Sequence, residues 1–101
     1  MRKKTFVHGT QELKDYWIDN GQIQPGFVSK IQMDVIKYHL QLEILSDIEL
    51  QDCRDSVVMN CSIHFDRISD SRPREGRQIL DLMSAVASVI DSMKFERGME
   101  V

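Results

Sequence analysis

Hydrophobic and polar residues alternate strictly over residues 57–65. The apolar members of this alternation are Val57, Met59, Cys61, Ile63 and Phe65. Successive side chains of a β-strand point to opposite faces of a sheet, whereas a helix repeats about every 3.6 residues. The pattern therefore predicts a strand with one buried face, and it places Asn60, Ser62 and His64 on the polar face.

A second alternation covers residues 36–50. Its apolar positions are Ile36, Tyr38, Leu40, Leu42, Ile44, Ile48 and Leu50, and its polar positions are Lys37, His39, Gln41, Glu43, Asp47 and Glu49. Some apolar residues between 27 and 50 also recur at the three- to four-residue spacing of a helix. The shared parity of the polar residues favours a strand over 36–50, and residues 27–36 stay open between helix and strand.

Residues 52–55 form a suitable turn between these two strands. The predicted product is a long antiparallel β-hairpin, whose arms exceed the roughly five or six residues of a typical strand. Arms longer than a small core needs indicate contacts with other subunits.

Two helices flank the predicted hairpin. The first spans Thr10–Asn20, begins on an acceptable N-cap, and carries Trp17 on its apolar side, where we expect it in the core. The second has Ser71 as its N-cap and Pro73 in its first turn, where a missing N–H costs nothing. Its apolar stripe consists of Ile79, Leu82, Met83, Val86, Ile90 and Met93. This spacing predicts an amphipathic helix that packs across the sheet.

These elements predict one α+β domain over residues 1–101: an N-terminal helix, a long antiparallel β-hairpin, and a C-terminal amphipathic helix on the sheet. The expected core comprises Met59, Cys61, Ile63, Phe65, Leu82, Val86 and Ile90. We expect residues 1–9 to be a flexible arm or a short strand. Residues 95–101 are expected to be a flexible tail or another short strand.

The composition is that of an intracellular globular protein. The chain has 101 residues, 42% of them apolar and 29% charged, and no apolar run approaches the ~20 residues of a membrane span. No apolar signal-peptide core follows the basic residues 2–4, so we expect a cytoplasmic location without membrane association. The net charge of −3 argues against general nucleic-acid binding. Cys53 and Cys61 are expected to be reduced.

No motif predicts catalysis, a metal site or a cofactor. The sequence has no nucleophile elbow, no glycine-rich phosphate loop and no zinc-protease motif, so we expect a protein that is not an enzyme. His39 and His64 fall on the polar faces of the two predicted strands. A zinc site needs three or four ligands, and the nearby Cys61 should point to the opposite face. We therefore interpret both histidines as solvated strand residues and keep them as candidate interaction residues.

Four arginines cluster around the second helix start. They are Arg67, Arg72, Arg74 and Arg77. Helix N-termini attract anions, so the cluster could contact a phosphate, a nucleic acid or another subunit. Acidic residues are interleaved with the arginines, and this favours a solvated, self-paired turn or a subunit contact.

The stretch over residues 57–65, the polar turn 69–76 and the apolar spacing from 79 to 90 resemble the small tail-terminator and head–tail joining proteins of tailed phages. The resemblance implies a non-enzymatic subunit of a homo-oligomeric ring, commonly a hexamer. Its implied partners are its own copies and other tail or neck proteins, with DNA only as passing cargo. The implied locations are the host cytoplasm and the assembled virion.

An alternative function belongs to a different class. The chain could be a small α/β binding module, such as a regulatory adaptor or a phage-encoded inhibitor. Such a module would recognise a protein or nucleic-acid partner through the sheet or through the arginine-rich turn.

Overall fold

The computed structural model describes residues 9–20 and 28–99, and every regular element in these ranges is helical. The four α-helices are α1 (Thr10–Asn20), α2 (Lys30–Leu40), α3 (Asp47–Ile68) and α4 (Pro73–Glu96), and a short 3-10 turn, Leu42–Ile44, links α2 to α3. No β-strand occurs among the described residues. The predicted α+β fold is therefore wrong, and the chain is an all-helical protein over the part described.

The predicted hairpin is replaced by helical segments. Residues 57–65 and the predicted turn 52–55 both lie inside α3, while residues 36–50 span the end of α2, the 3-10 turn and the start of α3. Residues 27–36, left open by the pattern, belong to α2 from Lys30 onward. Predictions for residues 1–8 and 100–101 lie outside the described residues. Within 95–99 the chain ends α4 and turns, so no strand follows there.

Helices α2 and α3 each begin with a complete capping box. Ser46 Oγ accepts the backbone N–H of Glu49 at 3.2 Å, and Glu49 Oε1 accepts the backbone N–H of Ser46 at 2.9 Å. Ser29 and Gln32 exchange the same two hydrogen bonds at 3.1 Å each. Each box satisfies two N–H groups that a helix start leaves without partners. These local signals favour a helix over the strand that the alternation predicted.

The two flanking helices are confirmed. α1 spans Thr10–Asn20 as predicted, and Trp17 is fully buried. α4 begins at Pro73 and buries most of the predicted apolar stripe, although its N-cap is Arg72 rather than Ser71. Of the expected core, Cys61, Leu82, Val86 and Ile90 are buried, Phe65 is half-buried, and Met59 and Ile63 are exposed. Met59 and Ile63 are exposed because a helix turns them away from the side that carries Val57 and Cys61.

α3 and α4 form an antiparallel hairpin, which is the largest contact in the molecule. Arg54 of α3 donates two hydrogen bonds to Asp91 of α4, at 3.1 and 3.3 Å. At the opposite end of the hairpin, Gly76 lies so close to the Phe65 ring that an added Cβ would sit 3.3 Å from it. The small residue lets α4 start tight against α3.

α1 and α2 cover one side of this hairpin. α1 packs on α4 and on α2, and α2 also contacts α4. The start of α1 is fixed by Gly9, which has a φ of +89° and faces the His39 carbonyl so closely that a side chain would collide with it. Within residues 9–20 and 28–99, no helix is long and apolar enough to cross a membrane.

Candidate anion-binding site

A pocket of about 410 Å³ opens between the first half of α1, the second half of α3 and the turn that joins α3 to α4. Its described lining consists of Gln11, Lys14, Asn60, Ile63, His64, Arg67, Ile68 and Arg72. This lining contains three cationic side chains and one imidazole, and none of its members is a carboxylate. In a chain with 16 acidic and 13 basic residues, such a one-signed surface is unexpected.

Helical spacing brings these side chains together. Asn60, His64 and Arg67 follow one another at intervals of four and three residues, so they share one face of α3. Past the end of α3, the backbone N–H of Arg72 donates to the Ile68 carbonyl at 2.7 Å. This hydrogen bond keeps the chain coiled for one more turn and returns Arg72 to the pocket. Lys14 faces the same space from α1.

Lys14 is the most deeply placed cation of the pocket. It is only 5% exposed, and its Nζ donates to Asn60 Oδ1 at 2.7 Å. Burial lowers the pKa of Lys14 from its ordinary value, and nearby Arg67 lowers it further, while Cys61 and Asp15 oppose the shift. An ammonium has three N–H donors, and Asn60 accepts from one of them. No carboxylate in residues 9–20 or 28–99 forms an ion pair with it.

His64 lies half-buried between the cations. Burial is the main cause that lowers the pKa of His64 below its ordinary 6.5, and Lys14, Arg72 and Arg67 lower it further. Glu75, at the start of α4, opposes this shift. The lowered pKa favours the neutral imidazole near pH 7.

The two arginines of the pocket are exposed and form at most a weak ion pair within the described part of the chain. Arg72 pairs with Glu75 at 3.4 Å, but the two side chains are 60% and 36% exposed, and pairs that are open to solvent contribute little free energy. Arg67 has no ion-pair partner within the described part of the chain. The sequence favoured a turn whose arginines pair with nearby acidic residues. Among the described residues, the one such ion pair in the turn joins Arg72 and Glu75.

The structure divides the predicted interaction residues into two groups. His64, Arg67 and Arg72 line the pocket, whereas Arg74 and Arg77 are exposed on α4 outside its lining. His39 lies near the end of α2, where its ring packs against Tyr38 with centroids 5.2 Å apart. His39 and His64 do not share a site.

Sequence reasoning missed Lys14 and Asn60. Lys14 precedes Trp17 by three residues, which places it beside the predicted apolar side of α1 and marks it as a partly buried charge. Asn60 could be grouped with His64 and Arg67 only if residues 57–68 were recognised as a helix. The strand prediction separated Asn60 and His64 from the arginines.

Neither cysteine lines the pocket, although Cys61 lies near enough to Lys14 for each to affect the pKa of the other. Cys53 and Cys61 are buried and carry free thiols. Burial raises the pKa of each thiol to about 11, which keeps both uncharged and unreactive at neutral pH. The described residues also contain no group of three or more His, Cys, Asp or Glu side chains that could hold a metal ion.

Comparison of the chain with family models, curated proteins and solved structures gives no match. A proposal for the function therefore has to rest on the chemistry of the pocket.

Proposed function

We propose that this chain is a non-enzymatic helical binding module that recognises an anionic group of its partner in the basic pocket. The supporting observation is the convergence of Lys14, Arg67 and Arg72 on one pocket whose described lining holds no carboxylate, in a chain of net charge −3. Hydrogen bonds from ionised donors to anions are among the strongest in proteins.

The electrostatics of the pocket favour an anionic ligand. A cation that is buried without a counter-ion loses hydration and gains little in return. Lys14 is in this position, and the nearby Arg67 repels it further. An anion placed among these side chains would pair with all of them at once. Binding would therefore relieve a cost that the free protein carries.

The composition of the pocket supports binding rather than catalysis. Its described lining offers N–H donors and one imidazole, and it includes no hydroxyl, thiol or carboxylate that could act as a nucleophile. The alternative function predicted from the sequence, a small α/β binding module, is therefore proposed in a different form. The module is helical, and the pocket takes the place of the sheet as the recognition surface.

Assembly as a phage ring subunit stays a prediction. The alternating strand that carried the resemblance is part of α3, so the fold lends that resemblance no support. The arginine-rich turn, in contrast, contributes Arg72 to the pocket.

The proposal is tested by titrating the protein with sodium sulfate at constant ionic strength and following backbone amide NMR signals. We expect saturable shifts at residues 11–14, 60–68 and 72. Arg67→Ala and Arg72→Ala should each weaken sulfate binding about tenfold, since a hydrogen bond to a charged group contributes about 1.5–3 kcal/mol.

Arg74→Ala is the matched control. It removes the same charge from an exposed site two residues from Arg72, outside the pocket lining. It should leave the affinity for sulfate within about twofold, the range expected from screened surface charges. Equal weakening by all three variants, or no saturable binding in the wild type, would contradict the proposal.

A further inference from the structure

The pocket combines its donors with an apolar wall. Ile63 and Ile68 belong to the same lining as Lys14 and Arg67. Ile63 is 46% exposed and Ile68 only 5%, so Ile63 supplies the accessible part of this wall. The volume of about 410 Å³ falls in the range of small-molecule sites. A bare inorganic anion would fill only part of this space. The ligand should therefore carry an uncharged body beside its anionic group.

The arrangement of the donors favours a tetrahedral dianion over a carboxylate. Asn60 accepts from Lys14 through Oδ1, so its amide N–H groups remain for a ligand. Lys14, Asn60 and the two arginines approach from α1, from α3 and from the following turn. A carboxylate offers two oxygens in one plane and a single charge. A phosphate monoester offers three terminal oxygens and a charge of about −1.5 to −2, so it can accept from all three directions.

We infer that the ligand is a phosphate monoester whose organic group rests on Ile63, and that His64 takes up a proton from solvent as the ligand binds. This inference rests on the proposed function and specifies the ligand and its pH dependence.

The charges around His64 explain the proton uptake. Lys14 from α1, Arg67 from α3 and Arg72 from the turn disfavour the imidazolium, and only Glu75 from α4 favours it. A bound dianion reverses this field, so the pKa of His64 rises on binding. Between the free and the bound pKa, binding takes up a proton, and affinity increases as the pH falls. The gain ends once the free protein is itself protonated.

The ligand class is tested by calorimetry at pH 7.5 with phenyl phosphate, inorganic phosphate and benzoate at equal ionic strength. We expect phenyl phosphate to bind about tenfold more tightly than benzoate, because it has the extra oxygen and charge. Phenyl phosphate should also bind at least about threefold more tightly than inorganic phosphate, because its ring contacts the apolar wall. Ile63→Ser should remove the advantage of phenyl phosphate over inorganic phosphate.

Met59→Ser is the matched control for Ile63→Ser. Met59 lies one helical turn away on α3, is similarly exposed at 53%, and is outside the pocket lining. It should preserve the ranking of the three ligands. Benzoate binding as tightly as phenyl phosphate would overturn the inferred ligand class while leaving the anion site intact. Failure of all anions to bind would remove the proposed function as well.

The same assay separates two sources of the phosphate monoester. A short phosphotyrosine peptide that binds more tightly than phenyl phosphate identifies a phosphorylated chain as the partner. Equal or weaker binding identifies a free phosphate ester. A peptide that binds equally well without its phosphate would contradict the inference.

The proton uptake is tested with sulfate, which stays doubly charged between pH 5.5 and 7.5. We expect the wild type to bind sulfate about three- to tenfold more tightly at pH 5.5 than at pH 7.5, because the bound dianion raises the pKa of His64. His64→Gln should flatten this pH dependence, whereas His39→Gln should retain it. A flat profile in the wild type, or an unchanged profile in His64→Gln, would overturn the role of His64.

Discussion

At the scale of single residues, α1 contains two buried polar groups without a hydrogen-bond partner. Thr10 Oγ1 and Trp17 Nε1 are both inaccessible to solvent and have no partner in the part of the chain that the structure describes. Burying such a group without a hydrogen bond costs about 1–3 kcal/mol. α1 therefore stabilises the fold by less than its buried apolar surface would suggest.

Replacing Thr10 by valine tests this cost. Valine has nearly the same shape and removes the buried hydroxyl, so Thr10→Val should raise the free energy of unfolding by about 1 kcal/mol, measured by urea denaturation. Thr10→Ser is the control, since it keeps the hydroxyl and loses a buried methyl group, and it should lower stability by about 1 kcal/mol. A marked loss of stability in Thr10→Val would mean that the hydroxyl has a partner in the folded protein.

At the scale of elements, the capping boxes decide where α2 and α3 begin. The box formed by Ser46 and Glu49 starts a helix of 22 residues directly after a 3-10 turn. The preceding Gln41 adopts a left-handed conformation with a φ of +53°, which ends α2. Short polar signals thus divide a stretch whose hydrophobic pattern looks continuous.

The contribution of the second box can be measured with Ser46→Ala. Loss of the cap should lower the free energy of unfolding by about 1 kcal/mol, and the helical circular-dichroism signal should melt at lower temperature. Ser88→Ala, at an exposed position inside α4, serves as control and should be neutral or slightly stabilising because alanine favours helices. Equal effects of the two substitutions would show that the cap is not important.

The same elements show why α1 and α4 were predictable and α3 was not. In α4 the apolar residues recur at three- and four-residue spacing, which only a helix explains. In and around α3, exposed apolar side chains contribute to the alternation of apolar and polar residues, although they do not pack in the core. These side chains are Tyr38, Ile44, Ile48, Met59 and Ile63. The buried residues alone, such as Val57 and Cys61, are four apart and fit a helix.

At the scale of the whole molecule, the pocket could be predicted only in part. His64, Arg67 and Arg72 were candidates because they lie near one another along the chain. Lys14 joins them only through the packing of α1, which sequence spacing does not encode. The pocket is also a local exception in an acidic protein, since its three cations converge while the net charge is −3. Long-range attraction of anions is therefore weak, and recognition depends on short-range contacts.

The hydrogen bond between Lys14 and Asn60 has a consequence for the integrity of the molecule. α1 packs mainly on α4 and α2, and this bond is a polar link from α1 to α3 inside the pocket. A ligand held by Lys14 from one side and by Arg67 from the other would fasten α1 to the α3–α4 hairpin. Occupancy would then slow hydrogen exchange at the amides of α1, a helix that otherwise packs mainly on α4 and α2.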